Sequence, residues 1–197
     1  MPEIAVHGPS RTGTTLLYNM AKAANPKVYV YKTHPAEGVS LARDAFYLLT
    51  MRDPRDVAVS RWACRLSRGP ENDPYTGFEA ELHEMERQYR VYEWQVQSLI
   101  GRNIFFRYED FYKKPEETFN RVCGTKLKEG EFSLDWAKSV CSKLKDFNDV
   151  ENATQLHGNH INFVEPGSGW GRVPSECLGM WKATCKPLCE KWGYTWH

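Results

Sequence analysis

The sequence predicts an α/β domain in three layers, a mostly parallel sheet of four to five strands with helices on both faces. Three observations carry this reading. Short runs rich in β-branched and aromatic residues recur through the first half of the chain, each bounded by Gly, Pro, Asp or Asn. Stretches with helical spacing of apolar residues lie between them, an alternation that favours parallel strands covered on both sides. A loop bounded by Gly8 and Gly13 follows the first run and opens the first helical stretch, which is the arrangement of a phosphate cradle.

The elements follow in order. Ile4 to Val6, Val28 to Tyr31, Ala45 to Met51 and Asn103 to Arg107 read as buried strands. Thr14 to Ala24 puts Leu16, Leu17 and Met20 on one side of a helix that stops before Asn25-Pro26. Pro54 to Leu66 reads as a helix with Asp53 as N-cap and Pro54 at its first position. Ser67 to Gly77 is rich in turn formers and reads as a loop. A long amphipathic helix is expected from Phe78 to Ile100, with Leu82, Met85, Tyr89, Tyr92 or Val96 inward. Pro115 to Val122 and Leu134 to Leu144 read as helices, Asp146 to Gly171 as a long loop, and Pro174 to Trp192 as a last helix. No repeat or composition break divides the chain, so residues 1–197 are expected to form a single domain.

Bulk properties narrow the function classes. At 197 residues the chain can bury a core without covalent staples. A formal net charge of +1 speaks against a broad nucleic-acid footprint, though not against a local basic pocket. No apolar run has the length of a bilayer span, and a strand within three residues of the start leaves no room for a secretory leader. A cytoplasmic protein is the expectation. The six cysteines form no C-x-x-C pair, so buried free thiols are expected rather than a metal site or disulfides. Asn152-Ala153-Thr154 is read as a chance sequon.

Ligands of doubly wound sheets sit at the carboxyl ends of the strands. There the first predicted strand is followed by Arg11 to Thr15, the second by Lys32-Thr33-His34, the third by Arg52 to Asp56 with Ser60 a few residues on, and the fourth by Tyr108-Glu109-Asp110. The first loop has the G-x-x-x-x-G spacing of a P-loop, so the fold expected is P-loop NTPase-like. Thr14, however, stands where a nucleoside-triphosphate enzyme carries Lys. The site is built for a phosphate but lacks the cation that reaches a β/γ-phosphate pair.

These motifs resemble those of the sulfotransferase family, which transfers a sulfuryl group from 3′-phosphoadenosine 5′-phosphosulfate. Ser10-Arg11-Thr12-Gly13-Thr14-Thr15 is similar to the family's 5′-phosphosulfate loop. Arg52 to Ser60 resembles its 3′-phosphate motif, including the Arg-to-Ser interval. Lys32-Thr33-His34 matches the Lys-Thr-His of cytosolic members, Tyr108-Glu109-Asp110 the family's Tyr-Glu-Asp, and Gly167-Ser168-Gly169-Trp170 is a looser echo of its glycine-rich cofactor loop. The resemblance implies donor binding by Arg11, Thr12, Gly13, Thr14, Thr15, Arg52, Ser60, Tyr108, Gly169 and Trp170. It implies no metal, because no β and γ phosphates need bridging.

The chemistry assigns roles. The donor's 3′-phosphate is a dianion that adenosine triphosphate lacks, so a second anion site is needed, and Arg52 with Ser60 can supply it. His34 is the candidate general base, since an imidazole titrates near working pH. Arg11 and Lys32 are the candidate cations for charge developing on the leaving oxygen. Carbohydrate-type members use a carboxylate base, which makes Glu37 the reserve. Arg172 is the nearest replacement for the basic pair that cytosolic members carry in the C-terminal loop. His157 and His160 read as exposed loop residues. The acceptor is a small-molecule or carbohydrate hydroxyl, or an amine. Two rivals stay open: a P-loop nucleotide kinase or other phosphotransferase, and a catalytically silent nucleotide-binding module.

Overall fold

The computed structural model of the chain describes residues 3–24, 27–67, 74–99, 101–114, 117–118, 120–121 and 166–196. Four strands form the sheet: β1 (Glu3–His7), β2 (Tyr29–Thr33), β3 (Ala45–Met51) and β4 (Asn103–Arg107). The helices are α1 (Thr14–Ala24), α2 (Pro54–Ser67), α3 (Pro74–Gln97), α4 (Tyr108–Lys113) and α5 (Leu178–Lys191). Two short 3-10 turns, Trp170–Arg172 and Ser175–Cys177, precede α5.

All described strand pairs are parallel, in the order β2-β1-β3-β4. The registers pair His7 with both Thr33 and Leu49, and Met51 with Arg107, so the carboxyl ends of the strands share one rim. Because β2 and β3 flank β1 on opposite sides, the chain leaves β1 in one direction and returns in the other. The crevice at β1 and β3 is therefore the topological switch point of the sheet.

Each face has its own core. Leu16, Leu17, Met20 and Ala21 of α1 pack with Val6, Val30, Leu48 and Phe106. The opposite face, with Ala5, Tyr47, Leu49 and Met51, is covered by Val57 and Ala58 of α2, by Phe78, Leu82, Met85, Tyr89 and Tyr92 of α3, and by Trp181 and Cys185 of α5. Burying a Leu or Phe side chain in this way stabilises the fold by about 1.5–3 kcal/mol. The near-continuous burial of β3 reflects a parallel strand covered on both faces.

Several boundaries differ from expectation. Strand β2 runs two residues later, to Thr33, so Lys32 lies within the sheet. The loop expected over Ser67 to Gly77 is cut short, because α3 starts at Pro74, where a proline's missing N–H costs the helix nothing. Helix α4 grows directly from β4 and was not expected. The last helix is preceded by a 3-10 turn. The helix read over Leu134 to Leu144, most of Pro115 to Val122, and residues 146–165, with His157 and His160, lie outside the described residues.

Candidate active site at the strand ends

The loop between β1 and α1 is shaped by two close approaches. A Cβ on Gly8 would lie 2.1 Å from Thr50 Oγ1 and 2.7 Å from the Thr50 carbonyl oxygen, so only glycine lets the loop leave β1 against β3. One on Gly13, whose φ is +91°, would meet the Tyr108 ring at 3.0 Å. Arg11 also holds a positive φ, 71°, the one such non-glycine value among the described residues. A left-handed arginine costs conformational energy that the surrounding structure must offset, and such residues gather at functional sites. Inside the loop, Thr12 Oγ1 donates to the Pro9 carbonyl at 2.7 Å and lies 2.6 Å from Thr50 Oγ1. Thr12 is fully buried and serves as the loop's internal strut.

Thr14 and Thr15 open α1, whose first-turn N–H groups have no acceptor within the helix and carry its positive dipole end. Lys32 reaches over from β2 and donates to Thr15 Oγ1 at 3.0 Å. Burial lowers the pKa of this ammonium. Arg11 extends the other way, its Nε donating to Ser60 Oγ on α2 at 3.0 Å. His34 Nδ1 stands 2.9 Å from the Gly8 carbonyl. A carbonyl can only accept, so Nδ1 carries the proton and Nε2 keeps its lone pair. Burial, followed by the charges of Lys32 and Arg61, lowers the imidazole pKa against the opposing pull of the Gly8 carbonyl. The ring is thus held neutral with one nitrogen ready to take a proton. Glu37, the reserve base, is more than half exposed and lies 3.6 Å from Arg87.

The second group of residues follows β3. Arg52 is 6% exposed, and its guanidinium lies over the Tyr108 ring, 4.2 Å from the centroid. Its Nε is buried without a hydrogen-bond acceptor; the nearest carboxylate, Asp56, stands 3.8 Å away. A buried guanidinium nitrogen left without an acceptor fits an anion that completes the site. Arg52, Asp56, Val59, Ser60, Ala63, Gly169 and Arg172 line a small cavity. A Cβ on Gly169 would sit 3.1 Å from Val59, so the turn is pressed onto α2.

A supporting shell joins residues that are distant along the chain. Glu109 accepts from the Asp53 N–H at 2.8 Å and so fixes the peptide after Arg52. Asp53 holds Arg55 through Nη2 at 2.6 Å, and Arg55 in turn packs 4.0 Å from the Trp170 centroid and donates to the Thr195 carbonyl. Trp170 gives its Nε1–H to Asp56 at 2.7 Å. Gln88 of α3 accepts the Ser10 N–H at 2.8 Å, which ties the β1–α1 loop to α3.

The structure therefore brings Arg11, Thr12, Gly13, Thr14, Thr15, Lys32, His34, Arg52, Ser60, Tyr108 and Gly169 to one rim. Trp170 stands beside them, with a ring face and its N–H engaged by protein groups. A roomier cavity of about 730 Å³ lies at the opposite, amino-terminal end of β3, between residues 40–44 and the end of α3.

Residues 39–125 match the Sulfotransferase family, a segment just under half the chain that includes Arg52, Ser60 and Tyr108. A retinol dehydratase crystallised with androsterone and the inactive cofactor PAP superposes with a TM-score of 0.65 at 14% identity, over 95% of this chain and 80% of that one. The chain has a sulfotransferase fold. The sulfotransferase domain of the curacin biosynthetic pathway gives a TM-score of 0.60, also at 14% identity, over 100% of this chain and 99% of that domain. No curated protein matches the sequence. Both the family resemblance and the α/β architecture read from the motifs are thereby met. Among the described residues, no helix is long and apolar enough to cross a membrane.

Proposed function

We propose that the chain is a sulfotransferase that uses 3′-phosphoadenosine 5′-phosphosulfate as donor and a small-molecule or carbohydrate hydroxyl, or an amine, as acceptor. What supports this reading is that two candidate anion-binding places share one rim. One is the opening turn of α1; the other is the buried Arg52, whose Nε has no acceptor. A single nucleotide with separate 5′ and 3′ charged groups is the ligand class that needs both.

In this reading Thr14, Thr15 and the N–H groups of the α1 turn hold the 5′-phosphosulfate, and Arg52, Ser60 and the 169–172 turn hold the 3′-phosphate. The donor supplies a sulfuryl group on a leaving oxygen. His34 Nε2 accepts the proton of the acceptor hydroxyl as its oxygen bonds to sulfur. The S–O bond to the nucleotide breaks, and its electron pair stays on the nucleotide oxygen. Lys32 and Arg11 are the cations that stabilise that charge.

Calorimetric titration with 3′-phosphoadenosine 5′-phosphate, together with transfer of labelled sulfate to a panel of acceptors, tests the proposal. Nucleotide binding without magnesium, plus transfer to at least one acceptor, is expected. A melting shift with magnesium and adenosine triphosphate, but none with phosphoadenosine phosphate, would point to a phosphotransferase instead. Binding without transfer to any acceptor would leave a silent nucleotide-binding module.

A further inference from the structure

We propose that Asp56 is the positioning residue of the second anion site, one carboxylate that hangs the 167–172 turn from α2 and at the same time holds Arg52 in place. The inference rests on the donor reading above and adds to it the group on which the 3′-phosphate pocket depends.

The geometry is specific. Asp56 is 4% exposed, on the first turn of α2. Its Oδ1 accepts from the Trp170 Nε1–H at 2.7 Å and from the Gly167 N–H at 3.1 Å, and its Oδ2 lies 3.2 Å from the same Gly167 nitrogen. Oδ2 also stands 3.8 Å from Arg52 Nε. The carboxylate thus joins two parts of the pocket wall that are more than a hundred residues apart in sequence. It lies within that wall itself.

A carboxylate in the wall of an anion pocket is costly by charge alone, since it repels the ligand. It is tolerated where its own charge is answered by donors, and here a cation and two N–H groups answer it. Burial pushes its pKa up, while Arg52, the Gly167 N–H and the Trp170 N–H pull it back down. Two effects of opposite sign therefore compete when the carboxylate is cut away. Loss of repulsion would tighten dianion binding; loss of the tether would let the turn and Arg52 move apart and weaken it. The tether is the larger effect, because three contacts depend on it and Arg52 has no other carboxylate within ion-pair distance among the described residues.

The test uses the full chain and two ligands, 3′-phosphoadenosine 5′-phosphate and adenosine 5′-phosphate, which differ only at the 3′ position. Asp56→Ala removes the charge together with both acceptor oxygens, which an Asn would leave half in place. Its affinity for the 3′-phosphorylated ligand is expected to fall about tenfold or more, with that for adenosine 5′-phosphate unchanged within about twofold. Trp170→Phe keeps the ring against Arg55 and removes only the indole donor. It should show a smaller loss of about two- to fivefold, again confined to the 3′-phosphorylated ligand, and it carries the test should Asp56→Ala fail to fold. Unchanged or tighter binding by Asp56→Ala, or by Trp170→Phe in its stead, overturns the inference, as does an equal loss on both ligands. Wild-type protein that ignores the 3′-phosphate overturns the donor reading itself, an outcome distinct from a wild type that prefers it and an Asp56→Ala that matches the wild type.

Discussion

The Arg52 guanidinium and the Tyr108 ring are stacked, 4.2 Å from charge centre to ring centroid, and Tyr108 is also the ring that a side chain on Gly13 would strike. One aromatic ring thus spaces the phosphate loop from the cation that follows β3. Arg52→Ala should weaken binding of 3′-phosphoadenosine 5′-phosphate by about 1.5–3 kcal/mol and barely change binding of adenosine 5′-phosphate. Tyr108→Leu should cost about 0.5–2 kcal/mol through the lost cation–π contact, more than Tyr108→Phe, which keeps a ring under the guanidinium. Calorimetry on the three variants checks the order. An Arg52→Ala protein that binds both nucleotides like wild type would remove Arg52 from the site.

The neutral tautomer of His34 gives a kinetic prediction. His34→Ala should lower turnover by about 10²- to 10⁴-fold and leave nucleotide affinity intact. Because burial lowers the pKa of the imidazole, the acid limb of the pH–rate profile should fall below 6.5, and the rate should be flat through neutrality. An acid limb above 6.5, or full activity in the Ala variant, would transfer the proton to another group, with Glu37 the first to examine.

Gly8→Ala tests the loop's packing. The new methyl would fall 2.1 Å from a hydroxyl and 2.7 Å from a backbone carbonyl of Thr50. The hydroxyl can rotate away but the strand carbonyl cannot. A loss of about 1–3 kcal/mol in unfolding free energy is expected by chemical denaturation. Adding Thr50→Ala should not restore it, because the carbonyl remains and the Thr12 hydroxyl loses one of its two partners.

His7 makes stability depend on pH. It is 0% exposed between the Tyr47 and Tyr92 rings, and burial lowers its pKa from 6.5 to about 4. Between those values the unfolded chain binds a proton that the folded chain refuses. Stability from this residue is fully present above pH 6.5 and falls as pH drops toward 4, by on the order of 3 kcal/mol. Asp56 and Glu109, whose pKa values are raised by burial, slope the other way over part of this range. Comparison with His7→Phe isolates the histidine. The variant should lose less stability than wild type between pH 6.5 and 4.5, and parallel curves would contradict the assignment.

The strands and the loops at their carboxyl ends were legible because each signal is local. A buried parallel strand announces itself as an apolar run, and Gly8 to Thr15 and Arg52 to Ser60 are contiguous motifs. Helix α4 was not legible, since six residues are too few to show a period. The support of the site was hidden for a different reason: its partners are distant along the chain. Asp56 meets Gly167 and Trp170, 111 and 114 residues away, and Ser10 meets Gln88 across 78. One signal existed. Gln88 and Gln95 interrupt the inward face of α3 beside Met85, Tyr89 and Tyr92, and a buried amide on an apolar stripe is there to satisfy something across the interface.

The bonds from Arg55 to the Thr195 carbonyl and from Arg107 to the Trp192 carbonyl also bear on biosynthesis. During translation, Arg52 and the phosphate loop emerge long before the segment that closes over them. Until residues 166–196 have left the ribosome, Arg55 and Arg107 lack the carbonyls that accept from them, and the aromatic rings that pack against this segment stay bare. Closure of the rim is thereby deferred until that segment has been made, an interval in which apolar surface stays uncovered.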